Sequence, residues 1–126
     1  MSLTTILQPI EVEFTAFKEY YATLFRSNVP LLDRALSHVS RTSGKMMRPM
    51  LVLLTAKSVA GTVSECTNYA AAALELLHTA SLLHDDVVDE SPMRRGLPSL
   101  HTLFSNRIAI LAGDYVFSSS LQNAAL

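Results

Sequence analysis

Apolar residues recur at helical spacing over most of the chain, and the breaks between them divide it into helices. From about residue 10 to residue 25 they fall every three or four positions, which predicts a first helix. Pro30 stands where the first turn of a helix tolerates proline, and apolar positions as far as Val39 would line one face of a second helix. Pro49 is expected to open a third helix, and Gly61 to end it in the left-handed cap position. The pattern predicts an all-α fold.

The fourth predicted helix is the longest. Thr62 as N-cap, with Glu65 three residues later, matches a capping box. The helix is expected to run to about Glu90, roughly 25 residues or about 37 Å, where Pro92 and Gly96 stop it. It is mainly apolar until its last two turns, so it should be buried for most of its length and polar only at its C-terminal end.

The rest of the sequence predicts a short helix or turn over residues 98–104 and a last helix from about Arg107. No glycine, proline or cap follows Asp114, so the last helix has no stop signal. A chain of 126 residues, 49% of them apolar, fits one small domain with a core of its own. We expect a single all-α domain over residues 1–126 that is a piece of a longer fold.

Composition and charge exclude several classes of protein. No apolar run approaches the roughly 18 residues of a membrane span. The first 14 residues carry Glu11 and Glu13 and no basic residue, so a secretory signal is not expected. The single cysteine, Cys66, fits a reducing compartment and is interpreted as a packing residue in a cytoplasmic protein. A net charge of −1 argues against nucleic-acid binding through bulk electrostatics.

Charged residues gather at the end of the long helix. Asp85, Asp86 and Asp89 close the apolar stretch, and Arg94 and Arg95 follow shortly after. Three neighbouring carboxylates repel one another and resist burial unless a cation neutralises them. Mg²⁺ commonly takes one or two protein carboxylates together with water and phosphate oxygens, and the guanidinium fork suits phosphate. The segment indicates Mg²⁺-assisted chemistry on a diphosphate.

Helical spacing places these acids on a common stripe. His78, Ser81, Asp85 and Asp89 are expected to share one face, with Asp86 beside it. A helix end that merely frays into solvent-facing acids is the simpler alternative. Negative charge at a helix C-terminus opposes the helix dipole, however, and this favours a bound cation.

A basic loop supplies the second part of the predicted site. Gly44 and Pro49 bracket Lys45 and Arg48, so backbone N–H groups at a helix start would lie beside two cations. Such a loop alone is more often simply solvated. His84 points off the acidic stripe and is interpreted as structural.

The ordered set is far more specific than its parts. It resembles the N-terminal half of the trans-isoprenyl diphosphate synthases, and the resemblance rests on Gly44-Lys45-x-x-Arg48-Pro49, His78, Asp85-Asp86-x-x-Asp89, Arg94-Arg95-Gly96 and Ala112-Gly113-Asp114. The resemblance implies antiparallel helices around a deep central cavity, usually in a homodimer. It also implies condensation of isopentenyl diphosphate with an allylic diphosphate.

The family's functional residues carry over onto matching positions of this chain. The resemblance implies a catalytic set in which Asp85 and Asp89 hold Mg²⁺ on the allylic diphosphate, Asp86 supports them and Arg94 contacts the same diphosphate. The residues implied to bind isopentenyl diphosphate are Lys45, Arg48, His78 and Arg95. The family's second aspartate-rich motif is absent from residues 1–126, so the 126-residue chain by itself is expected to be inactive.

The sequence also bears on product length. Ala80 and Ser81 precede Asp85 by five and four residues and are small, so neither should block a growing chain. This favours a long-chain, octaprenyl-type product, through which the enzyme could touch a membrane peripherally. Small residues that only permit close helix packing are the plainer explanation. A class I terpene cyclase and a non-catalytic subunit of a heteromeric synthase stay open as other functions.

Overall fold

Helices occupy most of the chain in the computed structural model, which describes residues 2–126, and the predicted all-α class is confirmed. One short 3₁₀ turn and a two-stranded hairpin complete it. The helices are α1 (Leu3–Leu7), α2 (Glu11–Thr23), α3 (Pro30–Arg41), α4 (Met47–Ala60), α5 (Glu65–Val88), α6 (Leu100–Leu103) and α7 (Asn106–Ala124); the 3₁₀ turn is Gln8–Ile10, and the strands are β1 (Met93–Arg94) and β2 (Leu97–Pro98).

The core forms where α5 packs against α7 on one side and α4 on another. Tyr20 contacts Tyr69 near the start of α5 and Asn123 near the end of α7, whereas His84 near the end of α5 lies beside Gly113. The two helices therefore run antiparallel, as predicted. Large side chains withdrawn from solvent fill the space between the helices: Phe17, Leu36, Leu53, Leu76 and Val116.

Two predicted helix starts are wrong by two residues. Helix α5 begins at Glu65 and its N-cap is Ser64, whose hydroxyl accepts a hydrogen bond from the N–H of Thr67 at 3.3 Å. This hydroxyl satisfies an N–H that would otherwise lack a partner, so Thr62 is not the cap. Helix α4 begins at Met47, and Pro49 is its third residue. A backbone N–H at that position would have no partner within the helix, so proline is tolerated there.

Helix α5 ends in a reversal that needs no glycine. Glu90 adopts a left-handed conformation (φ 55°) just beyond the helix. Its N–H bonds to the carbonyl of Val87 at 3.3 Å, and the N–H of Ser91 bonds to the carbonyl of Asp86 at 3.0 Å. This pair of bonds is the Schellman arrangement, usually formed with glycine at the position of Glu90. The chain consequently turns back directly after the acidic residues.

The hairpin that follows was not predicted. Its strands pair Arg94 with Leu97, and both turn residues have positive φ, 51° at Arg95 and 79° at Gly96. These values fit the tight turn that matches the twist of a two-residue hairpin. The buried His38 ring bonds to the carbonyl of Pro98 at 2.6 Å and ties the hairpin to α3. The hairpin thus holds two arginines beside α3 and α5.

Two residues expected to pack are exposed. Val12, which belongs to the apolar pattern of residues 10–25, is 78% exposed, because it lies about 140–160° around α2 from the buried Phe14 and Phe17. Cys66 is exposed in the first turn of α5 rather than packed. None of the helices in residues 2–126 is both long and apolar enough to cross a lipid bilayer.

Candidate functional site

A cavity of about 170 Å³ lies where the α3–α4 loop, the start of α4, helix α5 and the hairpin meet. Its wall includes four residues that the sequence predicted to act together: Lys45, Arg48, His78 and Arg95. They come from three separate parts of the chain. The fold therefore collects three cationic side chains and an imidazole around one space.

Arg94 and Asp86 form an ion pair in the same wall. The Arg94 guanidinium donates from Nε to one Asp86 oxygen at 3.2 Å and from Nη2 to the other, so the contact is bidentate. The Asp86 side chain is 6% exposed, and that of Arg94 is 33% exposed. The hydrogen bond from Arg94 to Asp86 raises the pKa of Arg94 above its ordinary value, while burial acts in the opposite direction. The pair joins the end of α5 to the hairpin.

Gly44 makes room for Arg95. A Cβ at position 44 would overlap the Arg95 guanidinium, with the side-chain Nε at 3.0 Å. The backbone of the α3–α4 loop and this guanidinium therefore lie in direct contact. Met46, two residues on, has φ 56° and turns the chain into α4, whose first turn has no side-chain cap. The N–H groups of this turn consequently border the cavity without a protein side chain bound to them.

On α5, polar side chains face the cavity on one side and solvent on the adjoining side, and the predicted stripe runs along the border between them. Asp86 and His78 line the cavity. Ser81, Asp85 and Asp89 lie within about 60° of His78 around the helix axis and about 60–140° from Asp86, on an exposed face that does not line the cavity. His78 lies at the border between the two faces. The acids thus divide into one buried carboxylate in the cavity and two exposed carboxylates outside it.

Ala80 and Ser81 lie on different sides of α5. Ser81 is on the exposed face below Asp85, and its hydroxyl donates to the carbonyl of Leu77 at 3.0 Å. Ala80 is 2% exposed and belongs to the core on another side of the helix. Of the two residues predicted to affect chain length, only Ser81 lies on the open face that carries Asp85.

That open face is apolar beyond the acids. Leu74 and Leu77 of α5 are each 43% exposed. Helix α7 packs on α5 and exposes further large side chains: Ile110, Leu111, Phe117 and Leu121. An apolar surface therefore leads away from the exposed carboxylates along both helices.

His84 packs between the two helices, in agreement with its structural interpretation. Its Nε2 is 3.2 Å from an Asp114 carboxylate oxygen and 3.3 Å from the carbonyl of Ile110. A Cβ at Gly113 would collide with the His84 ring, so glycine permits the contact. Gly113 and Asp114 on α7 thus hold His84 of α5 in place, one residue before Asp85.

Glu75 was missed by sequence reasoning. It is buried at 7% exposure and lines the cavity one helical turn before His78. A single acid inside the run Ala-Leu-Glu-Leu-Leu was the available signal, because an isolated charge in an apolar helix needs a reason.

The exposed carboxylates fit a hydrated divalent cation. Within residues 2–126, Asp85 and Asp89 make no ion pair, and no group of three or more His, Cys, Asp or Glu side chains is placed to enclose a metal. Two carboxylates four residues apart at a helix end match a cation that keeps most of its ligands as water and phosphate oxygens.

These features define an all-helical protein with a cationic, anion-sized cavity next to a pair of exposed carboxylates. A model of the polyprenyl synthetase family matches residues 29–125, and the chain belongs to this family.

Individual relatives support this family assignment. The chain is 41% identical over 121 residues to a prenyl transferase of Cyanophora paradoxa, covering 94% of this chain and 38% of that protein. It is 39% identical over 113 residues to an all-trans-nonaprenyl-diphosphate synthase (geranyl-diphosphate specific) of Rhodobacter capsulatus, covering 90% and 35%. A polyprenyl synthase from Caulobacter crescentus, crystallised with calcium and isoprenyl diphosphate, superposes with a TM-score of 0.87 at 29% identity, covering 98% and 38%. The chain therefore spans less than two-fifths of these relatives' lengths.

Proposed function

We propose that this chain forms the diphosphate-binding part of a trans-prenyltransferase that condenses isopentenyl diphosphate with an allylic diphosphate. The observation that carries the proposal is the cavity in which Lys45, Arg48, His78 and Arg95 meet. Three cations around a space of this size match a diphosphate, which is small and multiply charged. We assign this cavity to isopentenyl diphosphate.

The allylic diphosphate is assigned to the exposed face of α5 that adjoins the cavity. Asp85 and Asp89 are exposed there and would hold Mg²⁺, which, when bound, offsets charge on the departing diphosphate oxygens. Asp86 would act through Arg94, because its carboxylate holds two of the guanidinium nitrogens. The third nitrogen of Arg94, Nη1, is not held by Asp86, and we assign it to the allylic diphosphate at the edge of the cavity. Arg94 thereby adds a fixed positive charge where the C–O bond ionises.

The remaining steps need little acid–base chemistry from the protein. The isopentenyl double bond attacks the allylic cation, a new C–C bond forms, and a proton is lost. We assign that proton to the departed diphosphate. The apolar surface along α5 and α7 would keep water away from the cation.

A long-chain product is proposed from the open face of α5. Ser81 is small and exposed directly below Asp85, and the apolar side chains of Leu74 and Leu77 continue the surface. A growing isoprenoid lying along this face would meet no bulky residue at the level of Ser81. The nonaprenyl product in the name of the Rhodobacter capsulatus relative is consistent with this proposal. A homodimer, a cytoplasmic location and peripheral membrane contact through the product are part of the same proposal.

Turnover should be tested on the complete protein expressed from the gene that encodes this chain. With labelled isopentenyl diphosphate, an allylic primer and Mg²⁺, the wild type should form polyprenyl diphosphates. Asp85→Ala and Asp89→Ala should each lower kcat at least about a hundredfold, as expected when charge stabilisation of the leaving group is lost. Glu65→Gln, an exposed change at the other end of α5, is the matched control.

The two alternative functions, a terpene cyclase and a non-catalytic subunit, predict different results in this assay. Cyclic terpenes formed from an allylic diphosphate alone would indicate a terpene cyclase. A protein that turns over only after a second subunit is added, with both aspartate variants as active as the wild type, would be a non-catalytic subunit. Either result would overturn the proposal.

A further inference from the structure

Glu75 is a charged side chain that the proposed reaction does not use. It is more than nine-tenths buried, and its Oε2 has no hydrogen-bond partner among residues 2–126. A buried carboxylate without a partner is costly to keep, so its presence in the cavity wall requires a reason other than stability. The Tyr21 hydroxyl is bonded to Thr79 at 3.2 Å and does not serve as the missing hydrogen-bond partner.

The other charged residues of the cavity limit which side chain can be the partner of Glu75. The second buried carboxylate, Asp86, is already held by Arg94. Within the described residues, none of the cavity side chains Lys45, Arg48 and Arg95 lies within ion-pair distance of a carboxylate. The cavity wall thus contains one buried carboxylate without a partner and three cations that make no ion pair.

Arg48 is the best match for Glu75, since the Arg95 guanidinium already lies against Gly44. Arg48 stands in the first turn of α4, a helix that packs against α5, and it lines the cavity together with Glu75. It borders the cavity on one side and, on the other, an apolar groove between α4 and α5 lined by Leu51 and Ala70. Its long side chain can therefore turn to either space. A guanidinium can bind a carboxylate with one edge and a phosphate with another, which an ammonium cannot do in a fixed plane.

We propose that Glu75 is a positioning residue that holds the Arg48 guanidinium in the cavity, where Arg48 contacts the diphosphate of the bound substrate. This role rests on the proposed function of the cavity. Glu75 itself does not touch the substrate. It removes the alternative orientation of Arg48 towards the groove, so that less side-chain freedom is lost when the diphosphate binds.

The direction in which the anion affinity changes when Glu75 is removed distinguishes a positioning role from a purely electrostatic one. If Glu75 only added negative charge to the cavity, its removal would tighten the binding of an anion. If Glu75 positions Arg48, its removal weakens the binding. A purely structural role would change the unfolding transition and leave the affinity unaltered.

The test is isothermal titration of the complete protein expressed from the gene that encodes this chain, with inorganic pyrophosphate and with isopentenyl diphosphate. Glu75→Gln should weaken both about tenfold without lowering the urea midpoint of unfolding. Glu65→Gln removes the same charge from an exposed site on the same helix and should leave both affinities unchanged. Arg48→Lys keeps the charge without the fork and should weaken binding to a similar degree, and combining it with Glu75→Gln should cause little further loss.

The outcomes are distinguishable. If the wild type binds neither ligand, the proposed function of the cavity is wrong. If the wild type binds but Glu75→Gln binds equally well or more tightly, the positioning role is wrong. If Glu75→Gln does not fold, the Arg48→Lys variant still decides, because wild-type affinity in that variant would exclude a role for the guanidinium fork. Fully additive losses in the double variant would also overturn the inference.

Discussion

Breaking the Arg94–Asp86 pair should destabilise the protein measurably. Arg94→Met removes the guanidinium but keeps most of the side-chain volume, and it leaves Asp86 buried with an uncompensated charge. Removal of one partner from a fully buried pair costs about 3–5 kcal/mol. The Arg94 side chain is one-third exposed, so water can reach the carboxylate in the variant, and we expect a loss of about 2 kcal/mol.

Urea unfolding followed by circular dichroism measures this loss, and a double-mutant cycle isolates the pair. Asp86→Asn alone should cost about 1 kcal/mol, and the double variant should recover about 1 kcal/mol relative to the sum of the single changes. Arg95→Met is the control, because Arg95 is exposed, lies in the same hairpin and makes no ion pair within residues 2–126. Its effect should stay within about 0.5 kcal/mol. Additivity of the two changes at 86 and 94 would refute the reasoning.

Further predictions concern the turn, the cavity and the open face. Gly44→Ala should displace the Arg95 guanidinium and weaken isopentenyl diphosphate binding about tenfold in a titration, with an unchanged unfolding midpoint because a flexible side chain can move. Glu90→Gly should raise the free energy of unfolding by about 1 kcal/mol, since the position is left-handed; a lower melting temperature would contradict this. Ser81→Phe should shorten the polyprenyl product seen by chromatography of the dephosphorylated alcohols, whereas Ala80→Phe should cost about 1–3 kcal/mol of stability by overpacking the core. The exposed apolar side chains of α5 and α7 should make the 126-residue chain associate with itself, and sedimentation of a monodisperse monomer would exclude this.

The all-α class could be predicted from local signals, whereas the grouping of the cavity residues could be predicted only from the family resemblance. Apolar periodicity marks the helices directly. Lys45, Arg48, His78 and Arg95 meet in one cavity, and this could be expected only because the ordered motifs resemble those of a known family. Nothing in the spacing alone brings three separate segments together.

The side of a helix on which each residue lies could not be predicted as reliably. The burial of Ala80 on the core side of α5 could not be predicted, because small residues carry no polarity that indicates their side of a helix. The hairpin was missed because its strands are two residues long and its turn places an arginine, not a glycine, at the first left-handed position. The role of Asp86 depends on a partner eight residues away, beyond the end of the helix, and no helical pattern reports such a contact.

The two polar faces of α5 have a consequence for the lengths that this segment can have. Glu75 in the cavity wall and Asp85 on the open face are ten residues apart on one continuous helix. One inserted residue between them would rotate the carboxylates by about 100° and shift them about 1.5 Å along the axis. No side-chain rearrangement could restore both faces at once. Insertions should therefore be tolerated in the loop before α5 but not within this stretch, where helical phase alone sets the angle between the two proposed diphosphates.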